Sequence, residues 1–229
     1  MSSSFTHKTY ETLRADVLAC RLPPGEKLII ATLCERLGVS VGAVREALSR
    51  LTSEGLVTLE PQRGFRVAPI SPEDLRDLSE VRTNIEVQCL TRSIAHNNVK
   101  WESHLVAAHH ELSRIPARDP TDPARVSEAF SEAHNQFHLA LVAACDSPWL
   151  LRLRTLLYDQ SERYRRLSVP LAVVDRDLAR EHREIAEAAL AHDVERAASL
   201  MRDHLKLTTE IVLSSHFVQL EERSTATVA

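Results

Sequence analysis

Between Leu33 and Val67 the sequence is punctuated in a way that admits few folds. A short apolar-periodic segment over about 30–37 ends at Gly38-Val39, and a second begins at Ser40, a residue type whose hydroxyl caps helix N-termini. Its apolar positions Val44, Ala47, Leu48 and Leu51 recur at helical spacing and form one stripe. Val57-Thr58-Leu59 and Phe65-Arg66-Val67 then read as short strands around Pro61-Gln62-Arg63-Gly64, a hairpin turn. Helix, tight turn, helix and hairpin in this order predict a winged helix-turn-helix, in which the second helix enters the DNA major groove by its N-terminal end. A preceding helix over roughly residues 6–20 places Tyr10, Leu13 and Val17 on one face before Pro23-Pro24-Gly25 breaks it.

At Pro69-Ile70-Ser71-Pro72 the pattern changes. Serine followed by proline and two acids is a helix start, because proline at the first helical position forfeits no hydrogen bond. Related signals stand at Asp122-Pro123 and Ser147-Pro148. Leu75, Leu78, Val81, Ile85, Leu90 and Ile94 mark one helix, and others are expected near 101–114, 123–145, 149–168, 176–191 and 194–216. The expected fold is mainly α: a winged helix-turn-helix over residues 1–70, an all-α bundle of about six helices over 71–223, and a disordered tail over 224–229.

Composition narrows the setting more than the function. No apolar run reaches membrane-spanning length and no signal peptide opens the chain, so a cytoplasmic protein without a membrane partner is expected. Cys20, Cys34, Cys89 and Cys145 form no Cys-x-x-Cys pair and read as free thiols. The net charge of −4 is unevenly spread. Residues 1–70 carry nine basic against seven acidic side chains, and the remainder nineteen against twenty-five. That asymmetry permits DNA binding without demanding it.

The candidate DNA contacts are Ser40 and Arg45 in the first turns of the second helix, Arg50 further along it, and Arg63 and Gly64 at the wing tip. The competing reading is an ordinary helical domain with Arg45 a solvated charge. Val44-Arg45-Glu46-Ala47-Leu48, Leu51, Glu54-Gly55-Leu56-Val57 and Arg63-Gly64-Phe65-x-Val67 together resemble the GntR superfamily of bacterial transcription regulators. Most members open the reading helix Ser-Arg-Thr-Pro, whereas Ser40-Val41-Gly42-Ala43 stands here, a variant similar to a smaller branch of carbon-starvation-type regulators. Val41 lacks the group for the base contact the family's arginine makes there.

Histidine supplies the second constellation. His134 and His138, four residues apart, share one helix face. His182 lies eleven residues before Asp193 and His204 eleven after it. If Ala191-His192-Asp193 joins two antiparallel helices, both rings emerge about 16 Å from the turn, at one level. Four neutral nitrogens could then converge inside the bundle. The alternative is packed core histidine, since His96, His104, His109 and His110 show how freely the chain uses this residue on helices.

Over about residues 75–215 the chain resembles the FCD effector domain of the FadR-type GntR branch. That resemblance implies ligands at His134 (where aspartate is usual), His138, His182 and His204, and an effector-binding role for Arg82 in Arg82-x-x-x-Glu86. A helix-surface ion pair between Arg82 and Glu86 is the competing reading. Four imidazoles suit Zn²⁺, with Ni²⁺ as the second choice, over Mg²⁺ or Ca²⁺. The expectation is a homodimeric repressor that binds operator DNA and a small carboxylate, with no catalytic residues. The rivals are a metal-dependent hydrolase built on the four histidines, disfavoured by the lack of His-Glu-x-x-His and Gly-x-Ser-x-Gly, and a direct metal sensor.

Overall fold

The computed structural model describes residues 2–122, 126–168 and 176–226. The chain forms two compact units, one of Met1–Ser71 with Glu162–Tyr164 and the other of Pro72–Ser161 and Arg165–Ala229.

The first unit contains α1 (Ser2–Leu18), β1 (Lys27–Leu28), α2 (Ile30–Leu37), α3 (Val41–Ser53), β2 (Val57–Glu60) and β3 (Gly64–Val67). Gly38 ends α2 in the left-handed conformation at φ 65°, which lets the chain reverse before α3. Ser40 caps α3, its hydroxyl accepting from the Ala43 amide at 3.3 Å. The expected stripe of Val44, Ala47, Leu48 and Leu51 is buried against Leu13 and Val17 of α1 and Leu33 of α2. The strands form an antiparallel sheet in the order β1-β3-β2, with Val57 opposite Val67 and Glu60 opposite Gly64. β1 was not expected: two residues are too short to show the period of two.

The second unit is helical: α4 (Pro72–Ala95), α5 (Val99–Ser113), α6 (Glu128–Val142), α7 (Pro148–Ser168), α8 (Leu178–Leu190) and α9 (Val194–Ala226). Pro72 and Pro148 open their helices as expected. α6 does not begin at Asp122-Pro123. It starts at Glu128, capped by the Ser127 hydroxyl on the Phe130 amide, after an isolated bridge between Arg118 and Val126. Pro123 itself lies outside the described residues. α9 is helical to Ala226 through a stretch free of glycine and proline, and 227–229, the rest of the tail expected over 224–229, lie outside the described residues. Leu90, Ile94, Leu105, Phe137, Leu141, Ile185 and Met201 form the core. Small residues line α8 and α9 (Ala186, Ala189, Ala197, Ala198), and such a seam lets two helices pack closely. None of the four cysteines forms a disulfide among the described residues. No helix among the described residues is long and apolar enough to cross a membrane.

Candidate DNA-reading helix and histidine centre

The N-terminal end of α3 is bare. Ser40, Val41, Gly42 and Arg45 are all exposed, while the opposite face of the helix is buried. Ser40 spends one lone pair on its cap and keeps its O–H for an outside acceptor. Arg45 projects from the second turn, as a base-reading or phosphate-binding group must. Arg50 lies further along, with its guanidinium 3.7 Å from the Tyr10 ring centroid, so it braces α3 against α1. In the wing, Gln62 and Gly64 take positive φ, 63° and 88°, and Arg63 is exposed at the tip. Both expected surfaces therefore belong to the same small unit.

In the second unit four helix-borne histidines converge. His134 and His138 come from α6, His182 from α8 and His204 from α9, and all four are buried. Ring centroids are 4.5 Å apart for His134 and His138, 4.9 Å for His182 and His204, and at most 6.4 Å for any pair. The α8–α9 turn sits at Ala191-His192-Asp193, so the equal spacing of His182 and His204 from Asp193 does bring their rings level. One donor atom from each of the four lies within 4.8 Å of the others. Desolvation holds all four rings below the ordinary histidine range, His138 at about 3, so at neutral pH each offers a lone pair.

Oxygen atoms stand behind three of the rings. Glu181 Oε2 lies 2.7 Å from His204 Nδ1, the Tyr158 hydroxyl 3.4 Å from His134 Nδ1, and Glu86 Oε1 3.7 Å from His138 Nδ1. Burial works against ionising Glu181, but hydrogen bonds from Arg176 and His204 hold its carboxyl down at about 2. Glu86 is fully buried, and burial alone would push its carboxyl up. The Arg154 guanidinium, bonded through Nε and Nη2 at 3.0 Å to either oxygen, outweighs that and keeps it ionised.

Arg82 is not part of a surface ion pair. Both Arg82 and Glu86 are buried, Glu86 takes Arg154 as its bidentate partner, and Arg82 Nη1 donates to Ser161 Oγ at 2.6 Å. The Arg82 guanidinium also lies 5.1 Å from the Tyr158 ring, on the side of the bundle where Tyr158 meets His134.

Residues 5–67 match the family model described as bacterial regulatory proteins, gntR family, and residues 77–207 match the FCD domain. The chain belongs to the GntR family. An uncharacterized HTH-type transcriptional regulator BphR of Paraburkholderia xenovorans (strain LB400) is 39% identical over 91% of this chain and 85% of its own. The HTH-type transcriptional repressor GlaR of Escherichia coli (strain K12) is 35% identical over 89% of this chain and 93% of its own. Among solved structures, E. coli McbR/YncC superposes with a TM-score of 0.74 at 21% identity, covering 92% of this chain and 97% of that one, which shows a shared fold. As a GntR-family member the protein is a DNA-binding transcription regulator and not an enzyme, and the hydrolase reading ends there.

Several residues around this regulator's histidines had no signal in the sequence. Glu181 adjoins His182, and neighbours on a helix diverge by about 100°. It reaches the site through His204 on the next helix, whose Nδ1 lies 2.7 Å from Glu181 Oε2. Arg154, Tyr158 and Ser161 lie on α7, whose apolar spacing says nothing about polar partners. Arg154 stands 68 positions from its partner Glu86.

Proposed function

We propose that this regulator is a homodimeric repressor whose helical domain holds a divalent transition metal, zinc before nickel, on His134, His138, His182 and His204, and that it answers to a small organic acid. The observation that carries the reading is the enclosed set of four neutral imidazoles. Both ring nitrogens of His138 and Nε2 of His182 are buried without a hydrogen bond among the described residues, which is costly unless a further group satisfies them. Four tetrahedral nitrogen donors at about 2.1 Å from an ion would stand about 3.4 Å apart, so donors already within 4.8 Å of one another could close on one ion by side-chain adjustment. A bound ion supplies the positive charge that draws an anionic oxygen into the bundle. Tyr158 and Glu181 hold the His134 and His204 rings in orientation, the Glu86 carboxylate stands 3.7 Å from His138 Nδ1, and Arg82, with its planar array of N–H donors, receives the acid's carboxylate. The name of the E. coli relative GlaR supports repression.

Two winged domains in a symmetric dimer would read the halves of a pseudo-palindromic operator. Linkage then requires operator and acid to change each other's affinity by one common factor, about 5–150-fold in such systems. The test combines elemental analysis of the purified protein, a thermal-shift screen of carboxylic acids with and without chelator, and titration of a fragment of its own promoter. Wild-type protein should carry stoichiometric metal and release DNA when the acid binds. A His134→Ala, His138→Ala double variant should bind the fragment and ignore the acid. Metal-free wild-type protein, or equal release from the double variant, would overturn the proposal. Release driven by metal concentration alone would replace the acid with the metal as signal.

A further inference from the structure

On the other side of His182 a cleft of about 160 Å³ opens between the end of α5, the start of α6 and the first turn of α8. Leu112, Ile115, Phe130 and Leu178 wall it, the half-buried His109 and the buried His182 bring their rings to it, and the exposed Ala179 also lines it. Apolar cavities of about 150 Å³ accept benzene, which sets the size of molecule that fits.

His182 differs from the other three histidines. His134, His138 and His204 each have an oxygen of Tyr158, Glu86 or Glu181 within 3.7 Å of Nδ1. No described residue gives the His182 ring a hydrogen bond, and its Nε2 is the enclosed nitrogen. A neutral imidazole that gives Nε2 to a metal keeps its proton on Nδ1, and metal-bound histidines almost always donate that N–H to an oxygen. Here the ring that lacks the oxygen is the one that borders the cleft.

We infer that the cleft binds a compact apolar molecule ending in a carboxylate or carbonyl oxygen, of the size of benzoate. Its oxygen accepts the Nδ1–H of His182, and its body lies against Leu112, Ile115, Phe130 and Leu178. The inference rests on the metal reading above, since it needs His182 Nε2 turned to the ion. It adds a site that touches a ligand histidine instead of the metal, on α5, α6 and α8, away from Arg82 on α4. Loss of such an outer oxygen typically weakens metal binding by about 10–100-fold, so its supply should tighten binding by a comparable step.

The experiment uses the full chain loaded with zinc and follows zinc retention against a chromophoric chelator. Benzoate, acetate (oxygen without body) and toluene (body without oxygen) are the probes. Benzoate should slow or reduce zinc loss by about tenfold while acetate and toluene leave it unchanged. Ala179→Phe adds a phenyl ring to the lining from an exposed position; it should bind zinc like wild type and lose the benzoate effect. Ser113→Phe, from an exposed cleft residue on α5, should behave the same way and guards against a folding defect in the first variant. Equal effects of acetate and benzoate, or a benzoate effect that survives both variants, would overturn the cleft. Protein that binds no zinc overturns the metal reading and this inference together. Protein that binds zinc but ignores benzoate overturns this inference alone.

Discussion

Arg45 is the side chain on which operator recognition should depend most. Val41, 49% exposed one turn earlier, offers only an isopropyl group, suited to a thymine methyl, and Gly42 offers bare backbone. Arg45→Ala should therefore weaken binding to the promoter fragment by about 1–3 kcal/mol, with circular dichroism unchanged. Undiminished affinity would remove Arg45 from the reading surface. Glu86 poses the opposite kind of question, because it is fully buried and its energetics are those of a desolvated pair. Glu86→Gln leaves the Arg154 charge uncompensated and should cost about 3–5 kcal/mol in urea unfolding. A Glu86→Leu, Arg154→Met double variant should recover much of that loss, since apolar replacements of a buried pair are often close to neutral.

The wing and the α8–α9 hairpin each depend on a local backbone feature. Gly64 begins β3 at φ 88° with open space where a Cβ would stand, so the obstacle to substitution is backbone conformation and not crowding. Gly64→Val should cost about 1–3 kcal/mol, the usual range for a strained backbone conformation. Because Arg63 would be displaced with the turn, the salt dependence of DNA binding should also become shallower, as expected on losing a phosphate contact. A wild-type salt slope in this variant would exclude the wing from the contact. In the hairpin, His192 takes φ 57° at the turn between α8 and α9, and the alanines on the facing sides keep the helices close enough for His182 and His204 to meet.

Burial of four histidines makes the whole protein sensitive to acid. An unfolded histidine titrates near 6.5, while the buried rings stay neutral to lower pH, His138 to about 3. Below pH 6.5 the unfolded state binds protons that the native state refuses. The stabilising contribution is thus complete above 6.5 and lost as pH falls toward the folded values, at up to about 1.4 kcal/mol per histidine per pH unit. Chelator-treated protein should show a falling midpoint in denaturant melts from pH 7 to pH 5. Zinc should raise the midpoint at pH 7 and lose that advantage on acidification, because protons and metal compete for the same lone pairs. A flat profile for the metal-free protein would mean the rings are solvated in solution.

What the sequence determined by itself was everything set by short-range period and punctuation. Gly38, Ser40 and the stripe of Val44 to Leu51 specify α2, the turn and α3, and Pro72 and Pro148 specify two helix starts, because caps and apolar faces act within a turn or two. The pairing of His134 with His138 is likewise a property of one helix. The meeting of His182 with His204 was legible only because a short turn fixes the register of neighbouring antiparallel helices. The tertiary structure decided the contacts that span many residues: Arg154 on Glu86, Tyr158 behind His134, Glu181 behind a histidine on the next helix, and the cleft beside His182. No local period encodes these, since they arise where separate helices pack and a charge or ring nitrogen, once out of water, takes whichever partner the packing brings within reach.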